Sequence, residues 1–176
     1  MDDMAAEFRG ATPTQRVGKS RQLETFTGPE IALLREIQRD VSLSLAELAA
    51  RCGMAQSTVW RKLQEFETIG LIRGRVALID PAKAGCKLSI MASIKLQDHK
   101  EETVEGFARL IQGQAQIVEC LATSGSADYI LKIRVKDVEA YEQFMTNHLL
   151  RSPFVSEVHS SFVLKELKST TEVPIT

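Results

Sequence analysis

The sequence predicts an α+β protein of two units, an N-terminal helix-turn-helix domain of winged-helix-like type followed by a C-terminal ferredoxin-like βαββαβ sandwich. Three observations predict it. Two capping boxes, Thr27 to Glu30 and Ser44 to Glu47, each open a short apolar-faced helix. Ala49, Gly53 and Val59 are spaced as two helices packed across a tight turn require. From Leu88 onward, strand-period and helix-period segments follow in the order β-α-β-β-α-β.

Residues 1–25 carry Gly10, Pro13 and Gly18 without apolar periodicity and read as a flexible arm, in which Arg16, Lys19 and Arg21 offer phosphate contacts. The first helix starts after Thr27, with Pro29 in its first turn, and runs to about Asp40 on the apolar positions Ile31, Leu34 and Ile37. A second opens at Ser44, buries Leu48 and Ala49, and stops at Gly53. A third runs from Gln56 to about Ile69, with Val59, Leu63 and Phe66 inward and Gly70 as its stop. Leu71 to Ile79, centred on Arg73-Gly74-Arg75, suggests a short hairpin or an extended wing. These elements make a DNA-binding domain over 26–80, joined by a hinge linker, 81–87, to a domain over 88–168 that a tail, 169–176, follows.

In the second domain Leu88, Ile90, Ala92, Ile94 and Leu96 alternate with polar residues, the period of a half-buried strand. Val104, Phe107, Ala108 and Ile111 then follow at helical spacing, and 117–123 returns to extended character. After the turn Ser124-Gly125-Ser126-Ala127, a strand from Tyr129 to Val135 leads to a helix capped by Asp137 and ended by Pro153. A last strand is expected from Val155 to Leu167 with Ser160, Phe162 and Leu164 on one face. Helices on one sheet face leave the other, with residues such as Ile130, to be buried by a second copy across a dimer axis.

Apolar residues at 44% and charged residues at 26% are the balance of a globular chain, and no apolar run reaches the length needed to span a bilayer, so the expected location is cytoplasmic, on the nucleoid. Cys52, Cys86 and Cys120 are too widely spaced for a zinc cluster and read as buried free thiols; no cofactor or metal is expected. The net charge of −1 conceals an asymmetry: residues 51–75 hold five Lys or Arg against two Glu, whereas 86–176 hold 10 against 12 acidic residues. One basic segment on a mildly acidic chain suits a protein that grips nucleic acid with one part and self-associates with the other.

The segment Leu48 to Val59 is the most specific signal. Ala49 lets the helices approach, Gly53 permits the turn, and Val59 packs the third helix back on the second. That leaves Gln56, Ser57, Thr58, Trp60, Arg61, Lys62 and Gln64 for a major groove, with Arg73 and Arg75 on the wing. Arg61 suits a bidentate contact to guanine, Gln56 or Gln64 one to adenine, Ser57 and Thr58 phosphate or base contacts, and Lys62 phosphate alone. Trp60 is either a partial core residue or part of the DNA face.

Together with Leu33 to Asp40, Gly70-Leu71-Ile72-Arg73-Gly74, Thr123-Ser124-Gly125 with Asp128-Tyr129, and Ser161 to Glu166 with Lys168 to Thr171, this segment resembles the feast/famine (Lrp/AsnC) family of regulators over about 26–176. The resemblance implies a transcriptional regulator of double-stranded DNA whose αβ-sandwich binds an amino acid or related small molecule between dimers and assembles homodimers into higher oligomers, often octamers. It carries Gly125 and Asp128 over as effector-site residues, with Ser126 as their divergent neighbour.

Two departures qualify it. Where the family usually caps the recognition helix with serine, this chain has Ala55, so the cap falls to Ser57, a neighbour or water, or is absent. Where the family's turn commonly reads glycine, acid, aromatic, aspartate, this chain reads Gly125-Ser126-Ala127-Asp128, which removes a carboxylate partner for an amino group and opens space. Asp128 is equally suited to capping the turn. Two other functions fit the architecture, a DNA-compacting protein without effector and a siroheme-decarboxylase-like enzyme. For the latter His99, His148 and His159 stand on a loop, a helix and a strand with no spaced ligand motif, so no enzyme activity is expected.

Overall fold

The computed structural model describes residues 26–175. Among these, 26–77 with 170–175 form one compact unit and Leu78–Ser169 a second.

The first unit is built on α1 (Gly28–Arg39), α2 (Leu45–Cys52) and α3 (Gln56–Thr68). Both capping boxes form, with Glu30 and Glu47 reaching back to the backbone N–H groups of Thr27 and Ser44 at 2.8 Å each. Gly53 closes α2 in the left-handed region at φ 64°, which only glycine adopts without steric cost. Leu33, Leu34, Leu48, Ala49, Cys52, Val59, Leu63 and Phe66 form one core, against which the tail packs the half-buried Ile175. The tail is strapped to α1: Gln38 and Val173 exchange hydrogen bonds at 2.7 and 3.4 Å, Arg35 donates to the Ile175 carbonyl at 2.9 Å, and Arg39 pairs with Glu172 at 3.5 Å.

After α3, Gly70 at φ 76° turns the chain and the Ile72 N–H donates to the Phe66 carbonyl at 3.0 Å. No hairpin follows; 71–72 bend, 73–80 hold no regular secondary structure, and Val76, Leu78 and Ile79 lie exposed. Asp80 caps a tight turn through Pro81 that ends at Gly85.

The second unit holds β1 (Leu88–Leu96), α4 (Glu101–Gln112), β2 (Ile117–Ala122), β3 (Tyr129–Val135), α5 (Val138–Phe144) continued by a π-helical segment (Met145–Leu150), and β4 (Val155–Phe162). The four strands make one antiparallel sheet in the order β2-β3-β1-β4. Ile90, Ala92, Ile94, Leu131 and Ile133 pack from the sheet against Phe107, Ile111, Tyr141, Phe144 and Leu149 of the helices.

Three expectations are corrected. The last strand stops at Phe162 rather than Leu167, because Ile90 pairs with Phe162 and the Val163 N–H takes the Ser89 carbonyl, beyond which β1 has almost no backbone left to pair; Leu164 is solvent-exposed. In α4 Ala108 faces out, and Gly106 is buried instead beneath the Phe154 ring. Of the three thiols only Cys52 is buried; Cys86 is half-buried and Cys120 exposed.

Candidate nucleic-acid interface

Helical periodicity sets the face that α3 offers. At about 100° per residue, Val59, Leu63 and Phe66 fall on one side and are buried, while Gln56, Trp60, Gln64, Ser57 and Arg61 spread over roughly 140° of the other and are exposed. Trp60, left open by the sequence, is 57% exposed and outside the core. The helix begins at Ala55 with no side-chain cap; the Ala55 carbonyl accepts from the Thr58 and Val59 N–H groups, so the first N–H groups of α3 point outward beside Ser57.

Two residues assigned to this face sit at its flanks. Thr58 is half-buried. Lys62 is half-buried: its Nζ lies 2.6 Å from Glu30 Oε1 on α1 and 3.0 Å from Glu65 Oε2, with 23% of the side chain exposed, so it ties α3 to α1. The same pairing, with the Thr27 N–H, holds the Glu30 carboxyl down to about 2. Sequence reasoning recognised Glu30 as a capping residue and missed its second role, since nothing in the spacing of 30 and 62 announces a contact between helices.

Ion pairs thin the basic cluster further. Arg51 bonds Glu36 at 2.7 Å and Arg75 bonds Glu67 at 2.5 Å. Of the five basic residues between 51 and 75, Arg61 and Arg73 make no ion pair among the described residues, and both are exposed. Among the described residues the unpaired positive charge of this cluster thus lies on the exposed face of α3 and on the segment that follows it.

In the second unit the turn 123–128 is anchored from within. The Asp128 N–H donates to the Ile94 carbonyl, its Oδ2 accepts from the Leu96 N–H at 2.8 Å, and its Oδ1 meets His99 Nε2 at 2.9 Å. The Leu96 N–H and then His99 hold the Asp128 carboxyl below the usual carboxylate range. Thr123 Oγ1 bonds the Ala127 carbonyl. Gly125 and Ser126 sit at the exposed tip, and Gly125 has open space around it. Asp128 accordingly fixes the turn, while the tip presents only small groups. Of the other histidines, His148 lies tilted against Phe144 with centroids 5.4 Å apart and His159 faces Glu157 at 3.4 Å. Among the described residues no cluster of His, Cys, Asp or Glu is placed to hold a metal, and no helix is long and apolar enough to cross a membrane.

Comparison with known proteins adds to this geometry. A profile for winged helix-turn-helix DNA-binding domains matches residues 30–73, and one for the Lrp/AsnC ligand binding domain matches 89–173. The transcriptional regulator AzlB of Bacillus subtilis is 33% identical over 144 residues, 82% of this chain and 92% of its own length. The chain belongs to the Lrp/AsnC family. It is a DNA-binding transcriptional regulator with a ligand-binding domain, as the family is. Another relative, the transcriptional activator DecR of Escherichia coli, is 32% identical over 81% of this chain and 94% of its own. Among solved structures, a regulator from Neisseria meningitidis in complex with L-Met superposes with a TM-score of 0.82 at 29% identity, covering 85% of this chain and 97% of that one. An AsnC-family regulator from Agrobacterium tumefaciens gives a TM-score of 0.80 at 33% identity over 85% of this chain and 97% of its own.

Proposed function

We propose that this Lrp/AsnC protein is a sequence-specific regulator acting on double-stranded DNA in the cytoplasm, on the nucleoid, by binding rather than by turnover. Its occupancy of DNA is set by an amino acid or related small molecule held between dimers of a higher oligomer. The observation that carries the reading is the face of α3: Gln56, Ser57, Arg61 and Gln64 are exposed together, with groups matched to base edges and phosphates, and Arg61 and Arg73 make no ion pair among the described residues. Gln56, Trp60, Arg61 and Gln64 read bases; Ser57, Thr58 and Arg73 hold phosphates; Arg75 acts through Glu67 to set the wing.

For the effector, the solved relative with L-Met supports an amino acid as the class. The tip at Gly125 and Ser126 contributes backbone and a hydroxyl, and Asp128 contributes the turn's shape. A ligand bonded there meets no carboxylate from this tip, so its amino group relies on another copy or on backbone carbonyls. The sheet face opposite the helices, bearing Met91, Ile130 and Leu121, supports pairing of two copies.

The test is competition between duplexes selected from a random pool and unselected DNA, across salt, with wild type and Arg61→Ala. A regulator favours its selected site by about 10³ or more. Arg61→Ala should erase much of that preference, and equal loss on both DNAs would remove its base-reading role. Titration with the twenty amino acids should shift both occupancy and oligomer size for at least one of them.

A further inference from the structure

We propose that Trp60 is a specificity-determining residue that reads a thymine methyl in the major groove, so that this regulator distinguishes thymine from uracil at one position of each half-site. This rests on the reading of α3 as the recognition helix.

Four observations point to it. Trp60 is the sole tryptophan of the chain and is 57% exposed, although the core a few ångströms inside α3 is built of Val59, Leu63 and Phe66. It lies on the outward arc about 40° round from Gln56, which stands one turn before it, with Gln64 one turn after and Arg61 next in sequence. Among the described residues it has no aromatic partner and its indole N–H no hydrogen-bond acceptor, so nothing in the helical unit accounts for an indole there. Finally, the neighbouring Arg61 is exposed and makes no ion pair among the described residues, which favours an anionic polymer over an apolar partner protein.

The chemistry of the groove then selects the contact. An indole carries a broad apolar face and one donor, and the only apolar group on the major-groove edge of a base pair is the C5-methyl of thymine. Flanking Gln56 and Gln64 suit adenine, which brings its paired thymine methyl to the same stretch of groove. Removing one buried methyl group costs about a fourfold loss of affinity at this kind of contact.

The experiment uses the full chain and a duplex selected by it from a random-sequence pool. Each thymine is replaced in turn by deoxyuridine, which deletes the methyl and leaves Watson–Crick pairing intact. The expected result is a loss of roughly fourfold or more at one thymine per half-site and none at the others. Trp60→Ala should bind the thymine and uracil duplexes equally, at the wild-type level for uracil, and Trp60→Leu should keep part of the difference. Arg61→Ala should bind both more weakly while preserving their ratio. Because Trp60 lies outside the core, circular dichroism of the two variants should match wild type. Full affinity of every uracil duplex, or a thymine preference that survives in Trp60→Ala, would overturn the proposal while leaving α3 as the recognition helix. Selection of no sequence at all would overturn both.

Discussion

Lys62 separates a structural role from a DNA-contacting one, and Lys62→Met tests it. The ammonium sits 2.6 Å from Glu30 and 3.0 Å from Glu65, with side-chain exposures of 23%, 13% and 37% respectively. An exposed ion pair is worth up to about 1 kcal/mol, whereas losing a hydrogen bond to a desolvated charge costs about 1.5–3 kcal/mol. The pair lies between, because Glu30 is largely covered yet keeps its bonds from Thr27, and a loss of about 2 kcal/mol follows. The helix α1 to α3 contact should then open about 30 times more often, seen as faster hydrogen exchange of amides such as Leu34 and Leu63. DNA binding measured well below the melting temperature should keep the wild-type slope of log affinity against log salt, since no phosphate contact is lost. Unchanged exchange combined with a slope reduced by about one would refute the assignment and return Lys62 to the DNA surface.

Three further outcomes follow from the same structure. Glu30 is held down to about 2 from an ordinary 4.5, so the stability it contributes is present above its ordinary value and fades as pH falls toward 2; the melting-temperature gap between wild type and Glu30→Gln should be full near pH 6 and close between pH 4.5 and about 2. Gly106→Ala would drive a methyl into the Phe154 ring and should destabilise the sandwich by about 1–3 kcal/mol in urea unfolding, with Phe154→Leu in the same chain restoring part of the loss. Ile175→Ala should loosen the tail from the helical core, costing about 1–2 kcal/mol and speeding exchange along α1 while leaving β1 and β3 protected.

The helices and most strands were legible because their signals are local. Capping boxes at Thr27 and Ser44, the glycine at 53 and the alternation from Leu88 to Leu96 each state their structure within a few residues. What failed was set by partners distant in sequence. The last strand reads as continuing to Leu167, but β1 runs out at Leu88 and no local pattern reports that. Gly106 looks like a helix weakness until Phe154 is laid against it. In the DNA-binding unit the composition of 51–75 exposed the basic bias, yet not which cations are already spent on Glu30, Glu36 and Glu67. The Asp128 carboxylate, suited in sequence either to a ligand or to a turn, closes on Leu96 and His99, groups about thirty residues away.

The central claim is that the exposed face of α3 directs this regulator to particular sites under control of a small molecule. Genome-wide footprinting on its own chromosome, repeated on purified DNA across salt with and without the panel of amino acids, tests it most directly. Discrete palindromic footprints whose occupancy changes with one amino acid are the predicted result. Broad coverage without sequence preference, blind to every ligand, would contradict the account and make the chain a DNA-compacting protein.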